Sequence, residues 1–361
     1  MMKRILSLTV LLLLLFVMVG CAAEEPKNTT APTTTAPTET TEATEPIDYT
    51  QYYGPWEYDV AAKAKEEGKL HYYFMSNEGI VIKPDGGAST YKWGDSCLIA
   101  FPNGQTMLID SGLYKTRQII IGNLQQMGIK TLDYLVITHP HGDHQGGAIG
   151  TTKNTSEFMD LFEVKQAYYV KFNNPTSEED ELVERVCAEK NVPAKFLEQG
   201  DSLDVGDVKI TVLWPVAGTN QTTVSGTPSV NNTGLVLHFA YGEHSSLFTA
   251  DLYQASEMFC VNGNDAALID VDLLKVPHHG HKTSSSDRLL EATSPELAVA
   301  TGSLNISTEI RDRYAQYNIP LVYNYINGYI HISVGTDGIM ETETTRNDTP
   351  DAVVEEGAIG D

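Results

Sequence analysis

Three histidines and one aspartate lie within six consecutive positions, as His139, His141, Asp143 and His144. Imidazole and carboxylate groups are the ligands that zinc and similar divalent metals take in proteins. Side chains alternate in direction on extended backbone, so His139 and His141 can point to the same side and share one ion. Asp143 and His144 follow a glycine that lets the chain turn, and they can serve a second ion. The segment predicts a loop with ligands for two metals; the alternatives are a solvated histidine-rich loop or one adventitious metal site.

The same arrangement, in which a metal-type ligand follows an apolar strand, occurs several times. The run Leu132–Ile137 before the histidine loop is typical of a buried strand. Asp110, Asp251 and the pair at 278–279 also follow apolar segments directly. An aspartate after a strand is, taken alone, often a turn or helix-capping residue. Together with the histidine loop, these positions predict one shared site built at the ends of strands.

The elements that must position these ligands are predicted from hydrophobic periodicity. Strand pairs joined by turns are predicted at 95–109 and 235–249, and helices at 116–127, 175–190, 254–261 and 308–317. Residues 217–230 are predicted as a loop, and 321–323 with 329–334 as a hairpin-like pair. Hairpins followed by helices between strands, in an order that occurs twice, predict an α+β fold. The architecture expected is an αββα sandwich, two packed sheets with helices outside.

The two ends differ in composition from the body. Residues 1–21 contain basic residues, a short apolar run and Cys21 after a glycine, which is typical of a lipoprotein signal peptide with lipidation at Cys21. A simple cleaved signal and an uncleaved anchor are the alternatives. Residues 22–47 are rich in Thr and Pro and predict a disordered linker. The folded hydrolase domain is expected at residues 48–345. The sequence from Glu341 onward is acidic and weakly patterned, which predicts a mobile tail at residues 346–361.

The charge and cysteine content limit the function further. The 361 residues have a net charge of −24, and an acidic surface repels phosphate backbones, which argues against a wide basic face that grips DNA or RNA. An enzyme whose metals supply local positive charge is not excluded. Cys97, Cys187 and Cys260 match neither a zinc nor a disulfide spacing, so buried free thiols are predicted.

On these motifs the sequence resembles the metallo-β-lactamase fold superfamily, and within it the hydrolase domain of the ComEC-type competence proteins. The segments that show the resemblance are Gly94–Ile99, Asn103–Gly112, Thr138–Gly147, Asn231–Leu237, Leu247–Leu252 and Leu274–Gly280. The resemblance extends over roughly residues 70 to 342. It implies the metallo-β-lactamase fold and a metal-dependent hydrolase with two divalent ions, for which zinc is expected and manganese is the alternative.

The resemblance also implies which ion each ligand binds. His139 and His141 hold metal one, while Asp143 and His144 hold metal two, Asp143 being counted as a catalytic residue as well. Asp251 bridges the two ions. The expected result is a site in which the two metals share one carboxylate.

Other roles follow from the same resemblance. One of His278 and His279 completes metal two, and we favour His279, with His278 packing or contacting substrate. Asp110 matches the superfamily's first aspartate, which orients ligands for catalysis without binding metal. His281 is considered as a proton donor, with an exposed residue as the alternative. Four more residues are considered for contact with substrate, with solvated loop residues as the alternative: Asn231, Asn232, Lys282 and Ser284.

One ligand of metal one departs from the superfamily pattern. Many members have a further histidine between the motif that contains His144 and the motif that contains Asp251. That interval contains only His238, in a predicted strand, and His244, in a predicted turn. Asparagines occupy the corresponding motif at Asn231 and Asn232, as they do in ComEC-like domains. We therefore expect metal one to be weakly bound, and a mononuclear enzyme is the alternative.

Two divalent ions about 3.5–4 Å apart can lower the pKa of a bridging water from about 15.7 toward roughly 7. The resulting metal-bound hydroxide attacks a phosphorus or carbonyl centre. We predict an exported hydrolase, lipid-anchored on the extracellular side of the cell membrane, that cleaves phosphodiesters of nucleic acid or of the envelope. The acidic charge favours small or envelope-bound substrates, and the oligomeric state is left open. The alternatives are a lactone, thioester or β-lactam hydrolase, and a lipoprotein that binds or scaffolds with a degenerate metal site.

Overall fold

The structure is a computed structural model that describes residues 47–346, except for 78, 83–87, 92–93, 172–180, 218–222, 225–226, 229 and 303–304. The predicted signal peptide with Cys21, the linker up to 46 and the tail from 347 lie outside the described residues, as does the start of the helix predicted from 175. Within the described part of the chain, no helix combines the length and the apolar character needed to cross a membrane.

The strands and helices are labelled in chain order. The strands are β1 Leu70–Phe74, β2 Gly79–Ile82, β3 Ala88–Tyr91, β4 Cys97–Ala100, β5 Thr106–Ile109, β6 Thr131–Ile137, β7 Glu163–Tyr169, β8 Ala194–Phe196, β9 Ser202–Val205, β10 Val208–Trp214, β11 Thr223–Val224, β12 Thr227–Pro228, β13 Val236–Tyr241, β14 His244–Phe248, β15 Leu273–Lys275, β16 Leu297–Ala300, β17 Leu321–Tyr323, β18 Ile330–Val334 and β19 Met340–Thr344. The helices are α1 Val60–Glu67, α2 Arg117–Gln126, α3 Gly142–Gln145, α4 Phe158–Leu161, α5 Leu182–Glu189, α6 Gln254–Gly263, α7 Asp287–Thr293, α8 Thr308–Gln316 and α9 Asn324–Asn327.

Two sheets contain most of these strands. The first has the order β19-β18-β1-β4-β5-β6-β7-β8, and the second has the order β17-β16-β15-β14-β13-β10-β9. In each sheet one part is antiparallel, while β5 to β8 and β14 to β17 are parallel. Parallel neighbours need a crossover connection, which α2 and α5 provide in the first sheet and α6, α7 and α8 in the second. The second half of each sheet is therefore built from strand–helix–strand units.

The apolar core has three layers. The central layer, which includes Phe74 and Phe239, lies between the two sheets. The outer layers pack helices against the sheets, with Leu124 of α2 on the first and Ile310 of α8 on the second. Each fully buried side chain of this size contributes about 1.5–3 kcal/mol. The helix–sheet–sheet–helix order confirms the α+β class and the αββα sandwich predicted from the sequence.

Three local predictions are wrong. Residues 321–323 and 329–334 do not form a hairpin, because β17 pairs with β16 in the second sheet while β18 pairs with β1 and β19 in the first. The acidic stretch from Glu341 begins as a strand, since β19 pairs along β18. Its side chains are largely exposed, so it lacks a hydrophobic pattern. The predicted loop 217–230 contains the short pair β11 and β12.

Candidate metal centre

The loops with the predicted ligands meet at one edge of the sandwich because they follow parallel strands. β5 and β6 are parallel neighbours and lead to Asp110 and His139, while β14 and β15 are parallel neighbours and lead to Asp251 and the 278–279 pair. The carboxyl ends of parallel strands lie on the same edge of a sheet, where α/β proteins bind ligands. Residues as remote as Asp143 and His279, which are 136 positions apart, come into contact there.

Backbone hydrogen bonds fix these loops against one another. The N–H of Ser111 donates to the carbonyl of His144 at 2.7 Å, and the N–H of Asp95 donates to the carbonyl of Asp143 at 3.1 Å. Gly147 approaches so closely that a Cβ there would lie 1.8 Å from the carbonyl oxygen of Ser111. The histidine loop is therefore held by main-chain contacts before any ligand side chain is considered.

Four ligand-type side chains form a single cluster, Asp143, His144, Asp251 and His279, whose donor atoms lie within 4.8 Å of one another. Asp251 Oδ2 is 3.1 Å from His144 Nε2 and 3.4 Å from His279 Nε2. His279 Nε2 is also 3.3 Å from Asp143 Oδ2. The structure thus brings together the residues predicted for metal two and the predicted bridging aspartate. Two imidazoles and two carboxylates suit a borderline divalent ion such as zinc.

The predicted ligands of metal one lie beside this cluster. His139 Nε2 is 3.1 Å from His141 Nδ1 and 3.8 Å from Asp251 Oδ2. His139 Nδ1 donates to the hydroxyl of Thr138 at 3.2 Å, which leaves a lone pair on Nε2. Burial, together with the neighbouring His144, holds the pKa of His139 well below its usual value. The ring is therefore neutral, as a metal ligand must be.

The two adjacent histidines after β15 have different neighbours. His279 Nε2 belongs to the cluster, whereas His278 Nε2 lies 4.0 Å from Asp251 Oδ2 and 3.4 Å from Asn231 Nδ2. Their φ angles are 50° and 52°, values that residues other than glycine adopt rarely and that concentrate at functional sites. The geometry places His279 in the predicted metal-two position and His278 next to Asn231.

Asp110 contacts residues that were predicted to bind metal one and metal two. Its Oδ2 accepts hydrogen bonds from His144 Nδ1 at 2.8 Å and from the Thr138 hydroxyl at 2.7 Å. Because the Thr138 hydroxyl donates to Asp110, its oxygen accepts the hydrogen bond from His139 Nδ1–H. A carboxylate behind a ligating imidazole fixes its tautomer and raises its basicity. Asp110 thus makes the contacts of an orienting group for one histidine directly and for the other through a hydroxyl.

Two charged residues behind the cluster were given no role by the sequence. Asp95 Oδ1 lies 3.0 Å from His279 Nδ1, and Asp95 forms an ion pair with the buried Lys275. Asp95, Asp110 and His144 make up a second group of neighbouring ligand-type atoms. The available signal was Lys275 itself, because a lysine inside an apolar strand is rarely buried unless it is paired.

The four residues considered for substrate contact lie in different surroundings. Asn231 is buried beside His278, and its Oδ1 has no hydrogen-bond partner among the described residues. Lys282 is exposed. Asn232 Oδ1 accepts from a serine of α6, and Ser284 Oγ donates to a backbone carbonyl, so both are held by internal hydrogen bonds. Of the four, Asn231 is the one whose side chain contacts an imidazole of the site.

His281 is connected to the site through a hydroxyl. Thr283 Oγ1 lies 2.7 Å from His278 Nδ1 and 3.0 Å from His281 Nδ1. Burial lowers the pKa of His278 to about 4, so its ring is neutral near pH 7. With Nε2 accepting from the amide of Asn231, His278 Nδ1 donates to Thr283, whose own proton then points to His281. These residues form a continuous hydrogen-bonded path.

Neither histidine of the interval before Asp251 joins the cluster. His238 is buried within β13, as predicted. His244 is the first residue of β14, at the opposite end of that strand from Asp251, so the prediction that it lies in a turn is wrong. Its Nε2 is 3.3 Å from the hydroxyl of Tyr72. The third histidine of metal one is therefore not replaced by either residue.

The electrostatics of the cluster fit a bound cation. Burial lowers the pKa of His144 and of His279, but the surrounding carboxylates outweigh it and raise both pKa values well above the usual range. A field that favours protons at these nitrogens also favours a divalent ion. Asp251 Oδ1 is buried without a hydrogen-bond partner among the described residues. The cluster and its surroundings contain four aspartates but one lysine, so negative charge is in excess: Asp95, Asp110, Asp143 and Asp251, with Lys275.

The family model described as metallo-beta-lactamase superfamily matches residues 94–156. Over this segment the chain is similar to the metallo-beta-lactamase superfamily. The matched segment includes Asp95, Asp110 and the histidine loop from His139 to His144. Proteins of this superfamily are metal-dependent hydrolases, and the buried cluster offers the ligands that such chemistry requires. The match and the cluster together confirm the predicted class of the metallo-β-lactamase domain, a metal-dependent hydrolase.

Curated relatives match more of the chain. ComE operon protein 3 of Bacillus subtilis is 29% identical over 251 residues, 65% of this chain and 30% of that one. Competence protein ComA of Neisseria gonorrhoeae is 26% identical over 273 residues, 71% of this chain and 34% of that one. Ribonuclease Z of Aeropyrum pernix is 38% identical over 80 residues, 21% of this chain and 24% of that one. The chain spans about a third of the length of the two competence proteins, which confirm the predicted ComEC-like resemblance of the metallo-β-lactamase domain.

Proposed function

We propose that this chain is a metal-dependent phosphodiesterase. The observation that carries the proposal is the convergence of two imidazoles and two carboxylates, from Asp143, His144, Asp251 and His279, at the meeting edge of the two sheets. These four residues would hold a divalent ion, and a bound ion would supply the positive charge that activates water. His139 and His141 extend the set toward a second ion.

The proposed metals are zinc ions, with manganese as the alternative. Metal two would be held by the four-residue cluster, and metal one by His139 and His141 with Asp251 shared between them. Bound ions supply positive charge that activates water for attack and stabilises negative charge on the substrate oxygens. Asn231, with its buried unpaired Oδ1, is the nearest candidate to supplement the incomplete set of metal one.

The residues of this chain orient the ligands and manage protons. Asp110 holds His144 Nδ1 and, through Thr138, His139 Nδ1, so that both Nε2 atoms keep lone pairs for the metals. On the other side of the site, the hydroxyl of Thr283 links His281 to His278, and the centroids of the two imidazole rings lie 4.9 Å apart. We propose that His281, in its protonated form, gives its own proton to the departing group.

One observation supports a phosphodiester substrate, and a second limits its size. The Ribonuclease Z relative is named for cleavage of RNA, a phosphodiester polymer, and the segment it shares with this chain is 80 residues long. The net charge of −24 disfavours a long polyanion held along a broad surface. We therefore propose a small or envelope-bound phosphodiester in preference to long nucleic acid.

We also propose that the protein is exported and anchored to the outer side of the cell membrane through Cys21. The support is the sequence of residues 1–21, which has the basic, apolar and cysteine-terminated pattern of a lipoprotein signal. Stable anchoring needs more than one acyl chain, which lipoprotein modification supplies. Fractionation of cells is expected to place the wild type with membranes and a Cys21→Ala variant elsewhere. Equal distribution of the two proteins would refute the anchor.

The activity is tested with purified protein and three substrates: bis(p-nitrophenyl) phosphate, nitrocefin and a lactone. We expect the phosphodiester to be cleaved and the rate to fall at least about 100-fold in His141→Ala, because a metal contributes several kcal/mol to the transition state. The matched control is His331→Ala, which removes a histidine of β18 that stacks on Tyr73 outside the cluster. That variant is expected to keep its rate.

Other outcomes identify the competing functions. Preferential turnover of nitrocefin or the lactone would favour the second enzymatic hypothesis, hydrolysis of a lactone, thioester or β-lactam. If metal analysis finds no bound ion and none of the substrates turns over, the chain is a lipoprotein that binds or scaffolds with a degenerate site. Equal rates in His141→Ala and His331→Ala would remove the histidine loop from the mechanism.

A further inference from the structure

Behind His279 lies a buried ion pair that the proposed chemistry does not use directly. Asp95 precedes β4 in the first sheet and is 3% exposed, while Lys275 ends β15 in the second sheet and is 4% exposed. The two side chains form a salt bridge across the sheets, and Thr301 donates a hydrogen bond to Asp95 Oδ1. The pair therefore joins the two halves of the sandwich directly beneath the metal centre.

Asp95 makes two contacts of about 3 Å with residues of the cluster. Its Oδ1 lies 3.0 Å from His279 Nδ1, on the side of the ring opposite to the cluster. Its backbone N–H donates to the carbonyl of Asp143 at 3.1 Å. His279 Nδ1 makes no hydrogen bond of standard geometry among the described residues, so this contact is electrostatic. A carboxylate at this distance favours the neutral tautomer whose one N–H is on Nδ1, which leaves the Nε2 lone pair toward the metal. His279 Nε2 lies 3.3 Å from Asp143 Oδ2 and 3.4 Å from Asp251 Oδ2, within the cluster.

Lys275 neutralises the carboxylate that makes this contact. Both side chains are buried, and they form an ion pair in which the positive charge of Lys275 directly contacts the negative charge of Asp95. Lys275 Nζ also lies 4.0 Å from Asp251 Oδ1, so it reaches the proposed bridging residue.

A purely structural role explains this pair poorly. Replacing a buried ion pair with uncharged groups of similar volume is often neutral or stabilising, because both charges lose their hydration when buried. A pair kept only for stability would thus be easily replaced. The contacts of Asp95 with His279, Asp143 and, at 3.9 Å, His144, and of Lys275 with Asp251, instead connect the pair to all four residues of the cluster.

We propose that Asp95 and Lys275 are positioning residues that hold His279 in the metal-binding tautomer without adding net charge to the site. The inference rests on the proposed function, since it requires the cluster to bind a metal. The carboxylate behind His144 is Asp110, which accepts hydrogen bonds from a hydroxyl and a backbone N–H. The carboxylate behind His279 is Asp95, whose charge is balanced by Lys275. The carboxylates behind the two histidines therefore differ in their partners.

The test measures the affinity of the full chain for Co²⁺, by its visible absorption in competition with a chelator, in the variant Asp95→Asn/Lys275→Met. This double change removes both charges at nearly constant volume. We expect the metal-free variant to unfold at a temperature no lower than the wild type, while its Co²⁺ affinity falls by about 10–100-fold. The asparagine amide can donate to His279 Nδ1 and so favour the wrong tautomer. Unchanged Co²⁺ affinity in the folded variant would overturn the inference.

A milder variant keeps the inference testable if the double variant does not fold. Thr301→Val retains both charges and removes the hydrogen bond to Asp95 Oδ1, and its Co²⁺ affinity is expected to fall by about three- to tenfold. Unchanged affinity in this variant would overturn the inference. The matched control is Arg117→Met/Glu157→Gln, which removes a partly buried ion pair outside the cluster and is expected to leave Co²⁺ affinity unchanged.

The outcomes separate this inference from the proposed function. A wild-type protein that binds Co²⁺ but cleaves no phosphodiester would refute the function and leave the positioning role intact. A wild type that binds no Co²⁺ would refute both. If the wild type binds Co²⁺ and cleaves a phosphodiester, and the double variant binds Co²⁺ with the same affinity, the positioning role alone is refuted.

Discussion

His278 and His279 are adjacent in the chain, yet their imidazoles have different partners. The ring of His279 has Asp95 behind Nδ1 and the carboxylates of Asp143 and Asp251 around Nε2. The ring of His278 lies between Asn231 and the hydroxyl of Thr283, with Asp251 at 4.0 Å. The two rings are therefore expected to differ in their contribution to metal binding.

His279→Ala is predicted to lower Co²⁺ affinity by more than the roughly 10–100-fold that loss of an orienting group costs, because it removes a ligand of the cluster itself. His278→Ala, which removes an equal side chain from the neighbouring position, is predicted to have the smaller effect. Chelator competition on the two purified variants measures both. An equal loss, or a larger loss in His278→Ala, would contradict the placement of His279 as the ligand.

Between elements, the site depends on how closely the segment around α3 approaches the loop after β5. The N–H of Gly147 donates to the carbonyl of Gly112. Ser111 Oγ accepts a hydrogen bond from the N–H of Ala148 and donates one to the carbonyl of His144. These bonds keep the loop of His144 within reach of Asp110. A side chain at Gly147 would force the two segments apart.

Gly147→Ala is predicted to lower the free energy of unfolding by at least about 1–3 kcal/mol, the usual cost of overpacking, because its Cβ would lie 1.8 Å from the carbonyl oxygen of Ser111. Gly142→Ala is the matched control, since a Cβ there meets nothing within 4 Å. Urea denaturation of the metal-free proteins measures the difference. A Gly147→Ala protein as stable as Gly142→Ala would show that the loops can separate without cost.

Across the whole molecule, several histidines lie far from water and outside the metal cluster. Burial is the first cause that lowers their pKa values, to about 3 for His71 and to about 4 for His238 and His244. The unfolded chain binds protons at these residues as the pH falls below about 6.5, while the folded chain does not. Their contribution to stability is complete above that pH and is lost toward pH 4.

His238→Phe is predicted to reduce this acid sensitivity. His238 is buried in β13, and its Nε2 has no hydrogen-bond partner among the described residues. Between pH 7.5 and 5.5 the free energy of unfolding should fall by about 1 kcal/mol less in the variant than in the wild type. Denaturant unfolding at the two pH values, at constant ionic strength and without metal, measures this. Parallel losses in both proteins would show that His238 titrates normally when folded.

The sequence predicted the αββα class and most strand and helix positions because these follow from local periodicity. The predictions were wrong where a strand pairs with a partner that is distant in the chain, or where a strand lacks hydrophobic alternation. β17 and β18 are close in the chain and look like a hairpin, but their partners lie in different sheets. β19 presents mostly exposed side chains, so its pairing with β18 leaves no apolar alternation to detect.

For the candidate site, the sequence by itself determined the set of ligand types, since each motif puts its ligand directly after an apolar strand. The tertiary structure decided which of them meet. It placed His279 in the cluster, His278 beside Asn231, and His244 at the far end of β14. Lys275 inside an apolar strand indicated a buried partner, but the sequence could not identify Asp95 as that partner because the two residues come from different sheets. Such contacts depend on how two sheets pack, which no local pattern records.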